Sequence, residues 1–142
     1  MTKREEIVEA LKSLIEGIRK KEGYETDIGK NVEVWRSEPF LPSELPCVNI
    51  MDYASYVEEV GDFHNVTLSF AIDVVFANEP MAVLRSAISD LKKAIFGDET
   101  LGGLAISTRY LGDEVEISQK EDKISVLHAR VSVLYRVERW RD

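Results

Sequence analysis

Val66, Leu68, Phe70, Ile72, Val74 and Phe76 alternate with Thr67, Ser69, Ala71 and Asp73. A period of two over this length predicts a strand with one face buried. Residues 47–58 are rich in strand-forming side chains, and Gly61-Asp62 is a turn signal, so this stretch is the expected hairpin partner. Strands in globular domains run about 5–6 residues. The far part of this hairpin, Tyr53 to Phe63, is therefore expected to project as an arm. A second pair of strands is read at Ile106 to Ile117 and Ile124 to Val137, turning through Ser118 to Lys123. Leu127, Ala129, Val131, Val133, Tyr135 and Val137 share one face while Ile124 and Val126 fall on the other, which predicts a bulge near Val126-Leu127.

Two stretches carry the helical period instead. Ile7, Leu11, Leu14, Ile15 and Ile18 form one apolar stripe, with Glu5, Glu9, Lys12, Glu16 and Arg19 opposite. Thr2 and Glu5 have capping-box spacing and Gly23 is a stop signal, so a helix is expected from about residue 3 to about 22. Met81, Leu84, Ile88, Leu91 and Ile95 form a second stripe, with Asn78 as N-cap, Pro80 in the first turn and an end before Gly97. The fold class that this order predicts is α+β: a mainly antiparallel or mixed sheet, two helices on one face, and a projecting hairpin arm. Residues 1–142 form one domain. The Pro39 to Pro46 loop belongs inside it, because the strands on both sides serve one core.

Charge narrows the partners. The net charge is −8, with −6 carried by residues 31–64 and −4 by residues 97–124. Nucleic-acid binding through counterion release needs clustered Lys and Arg, and only Arg136, Arg139 and Arg141 gather, at the very end. No run approaches the length of a membrane span. The charged start, Met1 to Glu6, has no apolar block behind it, so a secretory signal is not expected. A single cysteine forms no internal disulfide, and cytosolic assembly is the default reading.

Candidate chemistry is sparse. His64 and His128 are the only histidines, too few to build a zinc site alone. Cys47 follows Leu45-Pro46 at a strand start and reads as a small buried residue, because no base stands near it in sequence to activate it. Gly97 to Gly103 lacks the Lys-Ser/Thr of a phosphate loop and carries Asp98-Glu99, which would repel a phosphate. Asp113, Glu114, Glu116, Glu121 and Asp122 miss the spacing of an EF-hand. No catalytic, metal or cofactor residues are assigned. Two groups remain. Tyr53, Tyr56, Val57, Val60 and Phe63 are apolar side chains on the expected arm and candidate oligomer contacts. Asp27 and Gly29 are read as a structural turn, with Gly29 at positive φ. Trp35 and Trp140 are read as packing residues at strand ends.

The segment Tyr24, Thr26, Asp27 and Gly29, then Val32, Val34 and Arg36, then Leu45-Pro46, completes the pattern. An N-terminal helix, a Tyr-x-Thr-Asp-x-Gly turn, a short Val-rich strand with Arg, a Leu-Pro lead into the next strand and a helix between two hairpins resemble the lambda-type tail-terminator and tail-completion proteins of long-tailed bacteriophages. The resemblance covers nearly the whole chain. It implies a non-enzymatic subunit that joins copies of itself into a ring, usually of six. Such a ring caps the tail tube, stops its polymerisation and offers a surface to the head-completion protein. The implied partners are the tube protein and further copies of the chain, with DNA only passing through the lumen and no membrane. Assembly would take place in the host cytoplasm and the product would sit in the virion tail. Two other classes share the same residues: another phage morphogenesis part, such as a head-completion or minor tail protein, and a small ligand-binding or enzymatic α+β domain.

Overall fold

The computed structural model describes residues 1–119 and 123–140. Helix α1 spans Lys3–Glu16 and is capped as expected, the Thr2 hydroxyl accepting from the Glu5 amide at 3.1 Å. It stops well short of residue 22. Gly17 ends it, and Lys20–Glu22 form a separate 3₁₀ turn closed by Gly23 at φ +92°. The Ile18 carbonyl accepts from Gly29 at 3.0 Å, so the returning chain takes a bond that a longer helix would need. Ile18 is buried even so.

A 3₁₀ turn at Ile28–Lys30 leads into β1 (Val32–Val34), and another at Pro42–Glu44 leads through a cis Leu45-Pro46 bond into β2 (Cys47–Val60). Then follow β3 (Phe63–Ala77), α2 (Met81–Gly97), β4 (Ser107–Gln119) and β5 (Lys123–Glu138). The strands form one sheet in the order β1-β2-β3-β5-β4. Only the β1 to β2 pairing is parallel. The molecule is thus an α+β fold on a mixed sheet. Both helices bury their stripes against the face carrying Leu68, Phe70, Ile72, Leu127, Ala129 and Val131.

Three local expectations change. Alternation along β5 is unbroken, because Ser125 takes the buried position before Leu127. The bulge expected at Val126-Leu127 is therefore absent; register shifts lie instead at Asp52/Ala54 in β2 and at Tyr110/Gly112 in β4. Asn78 is not the α2 cap. It has φ +56° and ties the strand ends together, exchanging hydrogen bonds with Lys123, while Pro80 holds the N-cap position. Gly97 is the last helical residue, not the first beyond the helix. Residues 120–122 of the expected Ser118 to Lys123 turn lie outside the described residues, as does Arg141.

The arm is also different from a free hairpin. The turn at Gly61-Asp62 and the long strands are present, but β3 pairs with β5 along its whole length, out to Phe63 opposite Glu138. The far end is consequently a supported extension of the sheet. The edge of β2 is bare there, since β1 covers no more of it than Val48 to Ile50, and β5 likewise runs on past Leu134, where its pairing with β4 ends.

Candidate functional site

The Tyr24 to Gly29 segment is structural, and each of its marked residues has a partner. Asp90 is buried on the apolar face of α2 and accepts three hydrogen bonds, from the Glu25 amide (3.0 Å), the Thr26 amide (2.8 Å) and the Thr26 hydroxyl (2.6 Å). A buried carboxylate is tolerated when its lone pairs are filled in this way. Asp27 accepts from the Lys20 amide at 2.8 Å and holds the first 3₁₀ turn against the second. Tyr24 stacks under the Lys93 ammonium, whose Nζ also reaches the Gly23 carbonyl at 2.9 Å.

Gly29 is needed for a reason other than the one expected. It sits in a 3₁₀ turn and not at positive φ; a Cβ there would lie 2.5 Å from the Ile15 carbonyl oxygen and 2.6 Å from that of Glu16. Close approach of two backbone segments is what excludes a side chain. Asp90 escaped the sequence reading, although its signal was present: it falls on the α2 stripe beside Ala87, Leu91 and Ala94, where a carboxylate needs a donor set.

Arg36 organises the loop before β2. Its guanidinium meets Glu44 at 2.6 and 3.1 Å, donates to the Pro39 carbonyl and lies 4.4 Å from the Phe40 ring centroid. The Arg36 hydrogen bond holds the Glu44 carboxyl below the usual carboxylate range. The Arg36 backbone both gives to and takes from the Asn49 side chain. Cys47 to Ile50 are accordingly buried on both faces of β2. Burial pushes the Cys47 thiol up to about 12, which keeps it an unreactive thiol, as its sequence position implied.

The far end of the hairpin has the opposite character. The β2 bulge at Tyr53 reverses side-chain parity, so that Ala54, Tyr56 and Glu58 join the helix-free face while Val57 points with the core face. Tyr56 is 68% and Val57 57% exposed, and Tyr53, Val60 and Phe63 are exposed as well. The five candidate contacts thus gather at one end of the sheet, on both of its faces. Arginines brace them: Arg130 donates to the Tyr53 hydroxyl at 2.9 Å, Arg136 lies over the Phe63 ring, and Arg139 reaches Glu59 at 3.4 Å. Arg136 and Arg139 therefore serve the hairpin and form no separate basic cluster. Trp140 is 73% exposed at the same end. Trp35 is also exposed, its indole donating to Asp52 at 2.7 Å, so neither tryptophan is the packing residue that the sequence predicts.

Each histidine meets carboxylates of the sheet. His64 lies near Glu59 at 3.5 Å. His128 sits on the helix-free face between Asp73 (2.8 Å) and Glu116 (3.2 Å). Partial burial opposes its charge, but the hydrogen bonds it donates to these carboxylates outweigh that and raise the pKa. Among the described residues, no three His, Cys, Asp or Glu groups converge as a metal would require. No described helix is long and apolar enough to cross a membrane.

No family model matches the chain. No curated protein matches it either.

A cavity of about 320 Å³ lies between the Glu25 to Ile28 segment and the start of α2, reached by Lys20, Asp27, Glu79 and Ser86. Its polar groups carry mixed charge, and Asp27 is already engaged by the Lys20 amide. The cavity is at the opposite end of β3 from the apolar cluster, beside Phe76.

Proposed function

We propose that this chain is a non-enzymatic assembly subunit of the phage tail-terminator kind, which joins copies of itself into a ring, of about six by the family resemblance. The observation that carries the reading is the apolar cluster at the far end of the hairpin, Tyr53, Tyr56, Val57, Val60 and Phe63. Exposed apolar side chains that gather at one end of a sheet, as these five do, mark a surface that another protein covers. A head-to-tail contact that closes gives a ring.

On this reading the tail-tube protein and the head-completion protein bind the two rims, and DNA passes through the lumen. A strongly acidic subunit suits a lumen along which DNA slides, since it offers no clustered cations to hold phosphate. The Tyr24 to Gly29 and Arg36 to Pro46 segments, which carry the resemblance, fix the body of the subunit and leave the hairpin end for contact. Electron microscopy of the protein at high concentration, alone and with tube protein, tests the proposal. Closed rings, and tubes that stop growing when the protein is added, are expected. Particles no larger than a monomer under both conditions would overturn it.

A further inference from the structure

The helix-free face of β3, β5 and β4 carries an ordered charge pattern, and we propose that it is a second contact, a two-fold face-to-face pairing with another copy of this chain. This contact is independent of the ring reading and meets the hairpin end only through Arg130, which donates to the Tyr53 hydroxyl.

The pairing registers place the side chains in four successive rows across the three strands. Ser69, Ser132 and Arg109 share the first row, and Ala71, Arg130 and Gly112 the second. Asp73, His128 and Glu114 share the third, and Val75, Val126 and Glu116 the fourth. Two basic rows are thus followed by two acidic ones. The bulge between Tyr110 and Gly112 creates this order: Arg109 and Glu116 are an odd number of residues apart and would point to opposite faces of a regular strand.

The pattern is self-complementary about a single line. A two-fold axis lying across the strands, midway between the second and third rows, sets Arg109 over Glu116 and Arg130 over His128, whose own row also holds the carboxylates of Asp73 and Glu114. The Arg109 to Glu116 match, made twice about that midpoint, meets the condition of an isologous contact. Arg130 is bound within its own chain to the neutral Tyr53 hydroxyl, and neither arginine is in an ion pair among the described residues. Glu116 remains 77% exposed despite its bond to His128. Ser69, Ala71, Ser132 and Gly112 keep the basic half low, which lets two sheets approach to the usual spacing of about 10 Å. Both helices lie on the other face, and the Arg36 loop covers only the start of β2, so this area is open.

Sedimentation equilibrium at about 0.1 M salt tests the pairing, in a Val57→Asp background that removes the hairpin-end contact and lies on the other face. The parent should show a monomer–dimer equilibrium. Arg109→Glu and Glu116→Arg should each weaken it at least tenfold, since each opposes like charges twice across the axis. An equimolar mixture of the two should form a heterodimer, and the double variant should again form a homodimer. Restoration on mixing cannot come from misfolding. A parent that stays monomeric at millimolar concentration, single variants that associate like the parent, or a mixture that stays monomeric would each overturn the proposal.

Discussion

The two ends of β2 differ more than any other pair of regions in the molecule. From Cys47 to Ile50 the strand is buried on both faces, by the helices on one side and by the Arg36 loop on the other, and β1 closes its edge. From Tyr53 to Val60 the same strand has a bare edge and largely exposed side chains, with apolar residues scarcely fewer than in the first half. Burial is set by what the rest of the chain places over each half, not by composition. The near end is therefore where stability resides, and the far end is free for another protein at little cost to the fold.

The largest test of that contrast is a matched pair of substitutions. Val48→Asp should destabilise by more than about 4 kcal/mol, because an unpaired carboxylate would replace a fully buried side chain. Val57→Asp on the same strand should change stability by less than about 1 kcal/mol. Chemical denaturation of both measures the difference, and similar losses would erase the distinction between the ends. Gly29→Val comes next, at about 3 kcal/mol, since two backbone carbonyls stand where its Cβ must go. Gly29→Ala should already lower the thermal midpoint, a result that conformational freedom alone would not give at this ordinary φ.

Asp90→Ala should destabilise by about 2 kcal/mol, leaving the Thr26 amide and hydroxyl without acceptors in a buried place. Asp90→Asn should recover only part, because an amide oxygen accepts less strongly than a carboxylate. Faster amide exchange of Glu25 and Thr26 would show that the effect arises there.

The smallest effect is the titration of His128. Its folded pKa is raised, so its contribution is fully present below the unfolded value of about 6.5 and fades as pH rises through the folded value. Stability should fall slightly on going from pH 6 to pH 8, and His128→Gln should remove that slope. A wild-type slope of the opposite sign would mean that burial and not the Asp73 and Glu116 pairing governs the imidazole.

The same contrast explains what the sequence could disclose. Periodicity marks both helices, β3 and β5, because a buried face enforces its spacing over many residues, whereas β2 rests on composition and a turn signal. Spacing places the end of α1 too late because the Gly29 amide takes the Ile18 carbonyl, a contact between parts of the chain that spacing does not register. The pattern suggests a bulge in β5 because Ser125 is polar yet occupies a buried position. The hairpin reads as a projecting arm because nothing local says that β5 accompanies β3 to its tip. The exposed aromatic residues were legible as candidates, whereas Asp90 needed the fold to show which donors it serves.

The most direct test of the central claim is sedimentation velocity of the wild type beside Tyr56→Asp and Val57→Asp, at high protein concentration and across a range of salt. Like subunits of charge −8 repel, so an apolar contact should strengthen as salt screens that repulsion. The account predicts a closed oligomer that grows with salt in the wild type, and loss of that species in both variants while their thermal stability is kept. A wild type that remains monomeric at high concentration and high salt, or variants that assemble as well as it does, would contradict the account.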